Sequence, residues 1–289
     1  MKRQNLIGLV LCGLLFVGGF LIKGNLSLYF NIASLMIVLG GSATAALLSF
    51  QLERLQIVLR VVRSSYRSKL KSEREIVDIL INLAIKSRME GILSLQEDEH
   101  ETTILFLRRG LGCLVDNYEP QQIRDILNTE MYFFKLRRED SERVLRTVAD
   151  FCPAFGIVGS VAGLIPMLAG IDDTGIILKT VPLALTSILY GLILANFFFL
   201  PFAANLRERT NQELLLQKII MEGILAIQGE VNPTVLRTKL LSFLTPSDRK
   251  ADLVPLTRIQ ERFHIRIDDD WPAPDDQSDL QDRPGPTVR

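Results

Sequence analysis

The sequence holds little that an enzyme or a metal would need. Its 289 residues include two histidines, His100 and His264, and three cysteines, Cys12, Cys113 and Cys152. The cysteines form no CxxC and have no metal-ligand spacing, and two histidines are too few for a His-based metal or catalytic site. No Gly-rich phosphate loop, HExxH or GxSxG pattern occurs. The Ser, His and Cys residues give no nucleophile constellation. No catalytic residue, metal or cofactor is therefore expected, and the chain reads as a non-enzyme. Net charge is missing too: 33 basic residues balance 33 acidic ones, which argues against a general nucleic-acid binder.

The most informative absence is local. Four stretches contain no Asp, Glu, Lys, Arg or His: Leu6–Ile22 (17 residues), Tyr29–Phe50 (22), Phe151–Ile171 (21) and Val181–Ala204 (24). A helix rises about 1.5 Å per residue, so roughly 20 apolar residues cross a hydrocarbon core of about 30 Å. The first run has a rival reading as a signal peptide, since Lys2 and Arg3 precede it. Leu21-Ile22-Lys23-Gly24-Asn25 makes a poor cleavage site, however, and another apolar run follows at once. An uncleaved membrane helix is the better reading.

Basic residues set the expected orientation. Between Phe50 and Phe151 lie 17 Lys/Arg, and after Ala204 lie 12, whereas connectors 23–28 and 172–180 hold only Lys23 and Lys179. Both termini and residues 51–150 are therefore expected on the cytoplasmic side of the membrane. The expected fold class is an all-α membrane protein: two transmembrane helices in 1–50, a cytoplasmic helical domain in 51–150 and two more spans in 151–204. Cytoplasmic C-terminal helices occupy 205–248 and an acidic disordered tail 249–289.

The cytoplasmic parts have helical periodicity, with Ile76, Ile79, Leu80, Leu83 and Ala84 along one face. Gly91, Gly110, Gly112 and Pro120 are expected to break 51–150 into several helices. Val144, Leu145 and Val148 lead into the third span with no breaker, so that helix is expected to extend well beyond the membrane. Asn232-Pro233 opens a short helix. Asp268–Asp282 contains seven aspartates and no basic residue, the composition of a disordered acidic segment.

Membrane ion pathways usually carry an ionisable side chain, and these spans have none. A protein moving protons or sodium ions would need a partner to supply the titrating group, or a path along hydroxyls and water. Hydroxyls are present: Ser160 in the third span, and Thr186, Ser187 and Tyr190 in the fourth. Each has the alternative of bonding back to its own helix. Gly156, Gly159 and Gly163 share a face of the third span, as close helix packing requires. Pro166 is expected to bend the third span, Pro182 to sit harmlessly near a helix start, and Pro153 and Pro201 to act as hinges at the cytoplasmic ends.

Several segments together resemble the MotA/PomA subunits of flagellar motor stators, within the MotA/TolQ/ExbB family of ion-driven motors. They are Pro153-Ala-Phe-Gly156-Ile-Val-Gly159-Ser160-Val-Ala-Gly163, Leu185-Thr186-Ser187-Ile-Leu-Tyr190-Gly191 with Ala195-Asn196, and Leu200-Pro201. Ile219 to Gln228, Leu39-Gly40-Gly41-Ser42 and Lys86-Ser87-Arg88-Met89-Glu90-Gly91 extend the match.

The resemblance implies a homo-oligomeric ring, a pentamer, around a MotB/PomB-like single-span partner that carries the ion-binding aspartate. It implies transported H+ or Na+ and no cofactor, and contact with a rotor switch-complex protein. Family roles fall on Ser160, Thr186, Ser187 and Tyr190 for the ion path, and on Pro153 and Pro201 for coupling ion flow to motion. Arg88 and Glu90 fall in the rotor-contact stretch. One departure bears on that contact: the family's glutamate eight residues after Arg88 is here Gln96. Glu97 is the candidate replacement, although one residue turns a helix by about 100°. A non-flagellar load of the ExbB/TolQ type is the alternative function.

Overall fold

A computed structural model of the chain describes residues 11–15, 18–19, 29–67, 71–169 and 174–244. The described residues are helical with short connections, and no strand occurs among them. The chain divides into Met1–Phe243 and Leu244–Arg289. Only Leu244 of the second unit is described, so the acidic segment with Trp271 lies outside the described residues. So do most of the first apolar run, connector 23–28, Gly170, Asp172 and Asp173.

The first long helix, α1, spans Ile32–Ser49, and its start is set by Asn31, whose side chain accepts from the Ser34 amide at 3.1 Å. It ends at Phe50, just before the charged helix α2 (Leu52–Arg67). Helix α3 (Glu73–Glu90) is capped by Ser72, which accepts from the Glu75 amide at 3.2 Å. It stops at Gly91, whose φ of 87° suits glycine alone. A 3-10 turn (Ile92–Leu95) leads into α4 (Gln96–Glu101), and α5 covers Leu105–Val115. Gly110 and Gly112 lie inside α5 instead of breaking it. Gly110 serves packing: a Cβ there would stand 2.9 Å from Ile224 Cγ1.

Two long rods follow. Helix α6 runs without interruption from Pro120 to Ala169, through both Pro153 and Pro166. Its 50 residues span about 75 Å at 1.5 Å each, far more than a bilayer requires. Helix α7 (Thr174–Ile193) passes through a π-helical turn (Leu194–Phe199) into α8 (Leu200–Gln228), and α9 (Pro233–Leu241) closes the described chain. Pro182 is thus well inside α7 and not near a helix start. The sequence reading placed 172–180 in a connector, but Ile176, Ile177 and Leu178 offer no breaker and the helix begins at Thr174. Among the described residues, three helices are long and apolar enough to cross a membrane: Ile32–Ser49, Pro120–Ala169 and Thr180–Gln228.

The largest fully buried side chains lie outside the four charge-free runs. Ile76 and Leu80 of α3, Leu107, Leu111 and Leu114 of α5, Ile123 and Leu127 of α6, and Ile219, Ile220 and Met221 of α8 form the core of the charged end. The apolar stretches instead leave Ile165, Leu168, Leu185 and Met36 more than 60% exposed. Such faces suit a lipid or helix environment in place of water.

Candidate functional site

Helices α1, α6 and α7 meet along small residues. A Cβ at Gly163 would stand 3.0 Å from the Ala184 amide nitrogen, and one at Gly191 only 2.5 Å from the Cys152 carbonyl oxygen. The glycines therefore do what small residues do in membrane helices, which is to let backbones touch.

A buried hydroxyl cluster sits in this seam. Ser34, Thr186 and Ser187 are 0%, 4% and 0% exposed. Three hydroxyls converge on the Leu183 carbonyl oxygen: Ser34 Oγ at 2.9 Å, Thr186 Oγ1 at 3.2 Å and Ser187 Oγ at 2.9 Å. Thr186 also donates to Pro182 O at 2.7 Å, and its oxygen lies 2.8 Å from Ser34 Oγ, where either partner can donate. One carbonyl oxygen has two lone pairs, so three hydroxyl protons cannot all settle on it. The cluster therefore has more than one satisfied proton arrangement.

Thr186 and Ser187 do bond back to their own helix, but Ser34 ties the group across to α1. Gly159 presses on the cluster, since a Cβ there would come within 2.7 Å of Ser187 Oγ. Ser160, one residue on, is also buried. Tyr190 faces the start of α1, donating to Tyr29 O at 2.5 Å and accepting from the Asn31 amide at 2.9 Å. The cluster offers hydroxyl and carbonyl oxygens and no carboxylate. Such groups can line a path for a cation or relay a proton, but cannot hold a charge of their own.

Sequence reasoning missed Ser34. Its signal was available, because Asn31 and Ser34 stand at cap spacing inside an apolar run. It also missed the π turn. Pro201 has no amide proton for the Phe197 carbonyl four residues back, and the turn before it widens. That turn packs on the turn of α6 just before Pro153: Ala149, Cys152 and Ala195 form one buried cluster, flanked by Leu194, Phe199 and Leu200. Pro153 and Pro201 thus adjoin touching turns.

At the charged end, Arg88 and Glu90 are exposed on the last turn of α3, and Glu97 is exposed on the first turn of α4. Glu90, Gln96 and Glu97 line one groove together with Lys86, Leu93 and His100. Arg88 and Glu90 line the adjoining one with Glu230 and Val231. Gln96 is the junction between the 3-10 turn and α4, and there both it and Glu97 reach the same groove. Lys86 is held by Asp98 at 2.7 Å; that hydrogen bond pushes its ammonium above its ordinary pKa, against the lowering effect of burial. Among the described residues, no group of three or more His, Cys, Asp or Glu is placed to hold a metal.

Fold and site define a class: a multi-helix membrane protein with oxygen-lined apolar helices that continue into a charged helical head. Residues 98–218 match the MotA/TolQ/ExbB proton channel family. Motility protein A of Treponema pallidum is 32% identical over 250 residues, covering 86% of this chain and 96% of that protein. Chemotaxis protein PomA of Vibrio alginolyticus is 29% identical over 253 residues, covering 88% and 99%. The solved flagellar MotAB stator complex from Bacillus subtilis has a chain that superposes with a TM-score of 0.80 at 26% identity, covering 86% of this chain and 98% of that one. The chain belongs to the motility protein A family within the MotA/TolQ/ExbB proton channels.

Proposed function

We propose that this chain is the ion-conducting stator subunit of a flagellar motor, turning proton or sodium flow into torque on the rotor. The observation that carries the reading is a buried oxygen cluster without a carboxylate, inside a fold shared with a flagellar MotAB stator complex. A MotB/PomB-like partner with one membrane helix supplies the aspartate. Five copies of this chain surround it in the inner membrane, each with four spans and with both termini, 51–150 and 205–289 in the cytoplasm. The transported ion is the only small species required.

Ser160, Thr186 and Ser187 line the ion path, and Tyr190 fastens its edge to α1. When the partner's aspartate gains or loses its ion, the contacting turns at Pro153 and Pro201 shift, and α6 and α8 carry the motion to the charged end as rigid rods. From Pro201 to Gly223, which packs on Leu80 of α3, is 22 residues of helix, or about 33 Å. Arg88, Glu90 and Glu97 meet the rotor there. The position of Glu97 beside Gln96 in one groove supports a flagellar load over the envelope alternative, which rests on the missing glutamate and on the acidic tail.

The test is Pro153→Leu. It is expected to abolish swimming torque while the protein still reaches the membrane and assembles with its partner; full torque in that variant would overturn the coupling role.

A further inference from the structure

Helix α4 has no reason to stand on its own. It is six residues long, Gln96-Glu-Asp-Glu-His-Glu101, shorter than any helix that persists unaided in water, and four of its six side chains are carboxylates that repel one another. Yet it presents Glu97 to the groove shared with Glu90.

Three contacts fix it. Arg108 of α5 donates from Nε to Glu99 O at 3.1 Å, and from Nη2 to His100 O at 3.1 Å and Thr102 O at 2.9 Å. The carbonyls at a helix C-terminus lack intrahelical donors and carry the negative end of the dipole, so a guanidinium is the group they need. Lys86 of α3 holds Asp98 at 2.7 Å. The Glu99 carboxylate lies over Gly112, where a Cβ would come within 3.1 Å of Oε1.

We propose that Arg108 is a positioning residue of the torque contact: it clamps the C-terminal end of α4, so that Glu97 stays in register with Glu90 under load. This rests on the reading of Glu90 and Glu97 as rotor-facing. Only a planar fork of donors spans the last turn and the connection that leaves it together; a lysine offers one point charge at the end of a flexible stem. A charge that transmits force must be held, because a site that is present but loosely supported loses its effect.

The experiment uses the full stator complex with Arg108→Ala, Arg108→Lys, Glu97→Gln and the Glu97→Gln/Arg108→Ala pair. Amide hydrogen exchange across 97–102 is expected to rise about tenfold in Arg108→Ala, from loss of charge-assisted hydrogen bonds, with an intermediate rise in Arg108→Lys. Stall torque is expected to fall in Arg108→Ala and in Glu97→Gln, and the pair is expected to be no weaker than Glu97→Gln alone. Unchanged exchange, or additive torque losses, would overturn the proposal. Should Arg108→Ala fail to accumulate, Asp98→Asn loosens the Lys86 anchor and is expected to show the same rise and the same non-additivity with Glu97→Gln. Full torque in Glu97→Gln would instead overturn the rotor-facing reading beneath it, while the exchange data separately decide whether Arg108 holds α4.

Discussion

Gly191→Ala is the sharpest perturbation of the seam. The added methyl carbon would lie 2.5 Å from the Cys152 carbonyl oxygen, 3.1 Å from its carbonyl carbon and 3.1 Å from Pro153 Cα. All three atoms are backbone, so no side-chain rotation relieves the clash, and α7 must move away from α6 by about 1 Å to restore ordinary contact. Overpacking of this kind costs about 1–3 kcal/mol. Two controls give the series an internal scale. At Gly156 the nearest atom is the Ser187 carbonyl oxygen at 3.0 Å, and at Gly40 nothing lies within 4 Å. Alanine at Gly40 gains helix propensity of about 0.5–1 kcal/mol. Thermal unfolding midpoints of the purified complex should then fall in the order Gly40→Ala, Gly156→Ala, Gly191→Ala, with the first at or above the wild type. A wild-type midpoint for Gly191→Ala, or a reversed order, refutes the close approach at Pro153.

Two further outcomes follow from the hydrogen-bond pattern. Tyr190→Phe removes the donor to Tyr29 O and the acceptor for the Asn31 amide; losing hydrogen bonds of this kind costs about 0.5–1.5 kcal/mol each, to be read as a lowered midpoint, and an unchanged one would remove Tyr190 from the seam. Glu222 binds Lys239 at 2.6 Å and Lys218 at 3.5 Å. Burial alone would raise its carboxyl pKa, but the hydrogen bond and charge of Lys239, aided by Lys218, hold it below its ordinary 4.5. A depressed folded value stabilises the fold above the unfolded one and loses that contribution as pH falls through the folded value. The midpoint of the complex should therefore drop as acid is added below pH 4.5, and Glu222→Gln should flatten that part of the profile.

The helices were legible where local rules act alone. Gly91, Pro120 and Asn232-Pro233 end and start helices as their chemistry dictates, and the lack of a breaker before Phe151 foretold a helix running on past the apolar stretch. The errors came where tertiary contact overrides propensity. Gly110 is read as punctuation in sequence, but in space it is a slot for Ile224. Pro182 reads as lying near a helix start because nothing in sequence says where α7 begins outside its charge-free run. The hydroxyls of α7 were visible as residues, whereas their convergence on one carbonyl with Ser34 requires knowing that α1 lies against α7. Glu97 is the candidate replacement for Gln96 in sequence, with a helix rotation of about 100° against it, and only the 3-10 turn before α4 shows that both face one groove.

On the proposed function, this chain turns ion flow into rotation with an ion-binding charge that its partner supplies. The direct measurement is the torque of single tethered motors in cells lacking their own stators, after induction of this chain with a single-span partner and with that partner's membrane aspartate changed to asparagine. Torque is expected to rise in discrete steps with the intact partner, and to be absent with the asparagine variant or with the chain alone. Torque without the partner's carboxylate, or none with it intact, would overturn the proposed function.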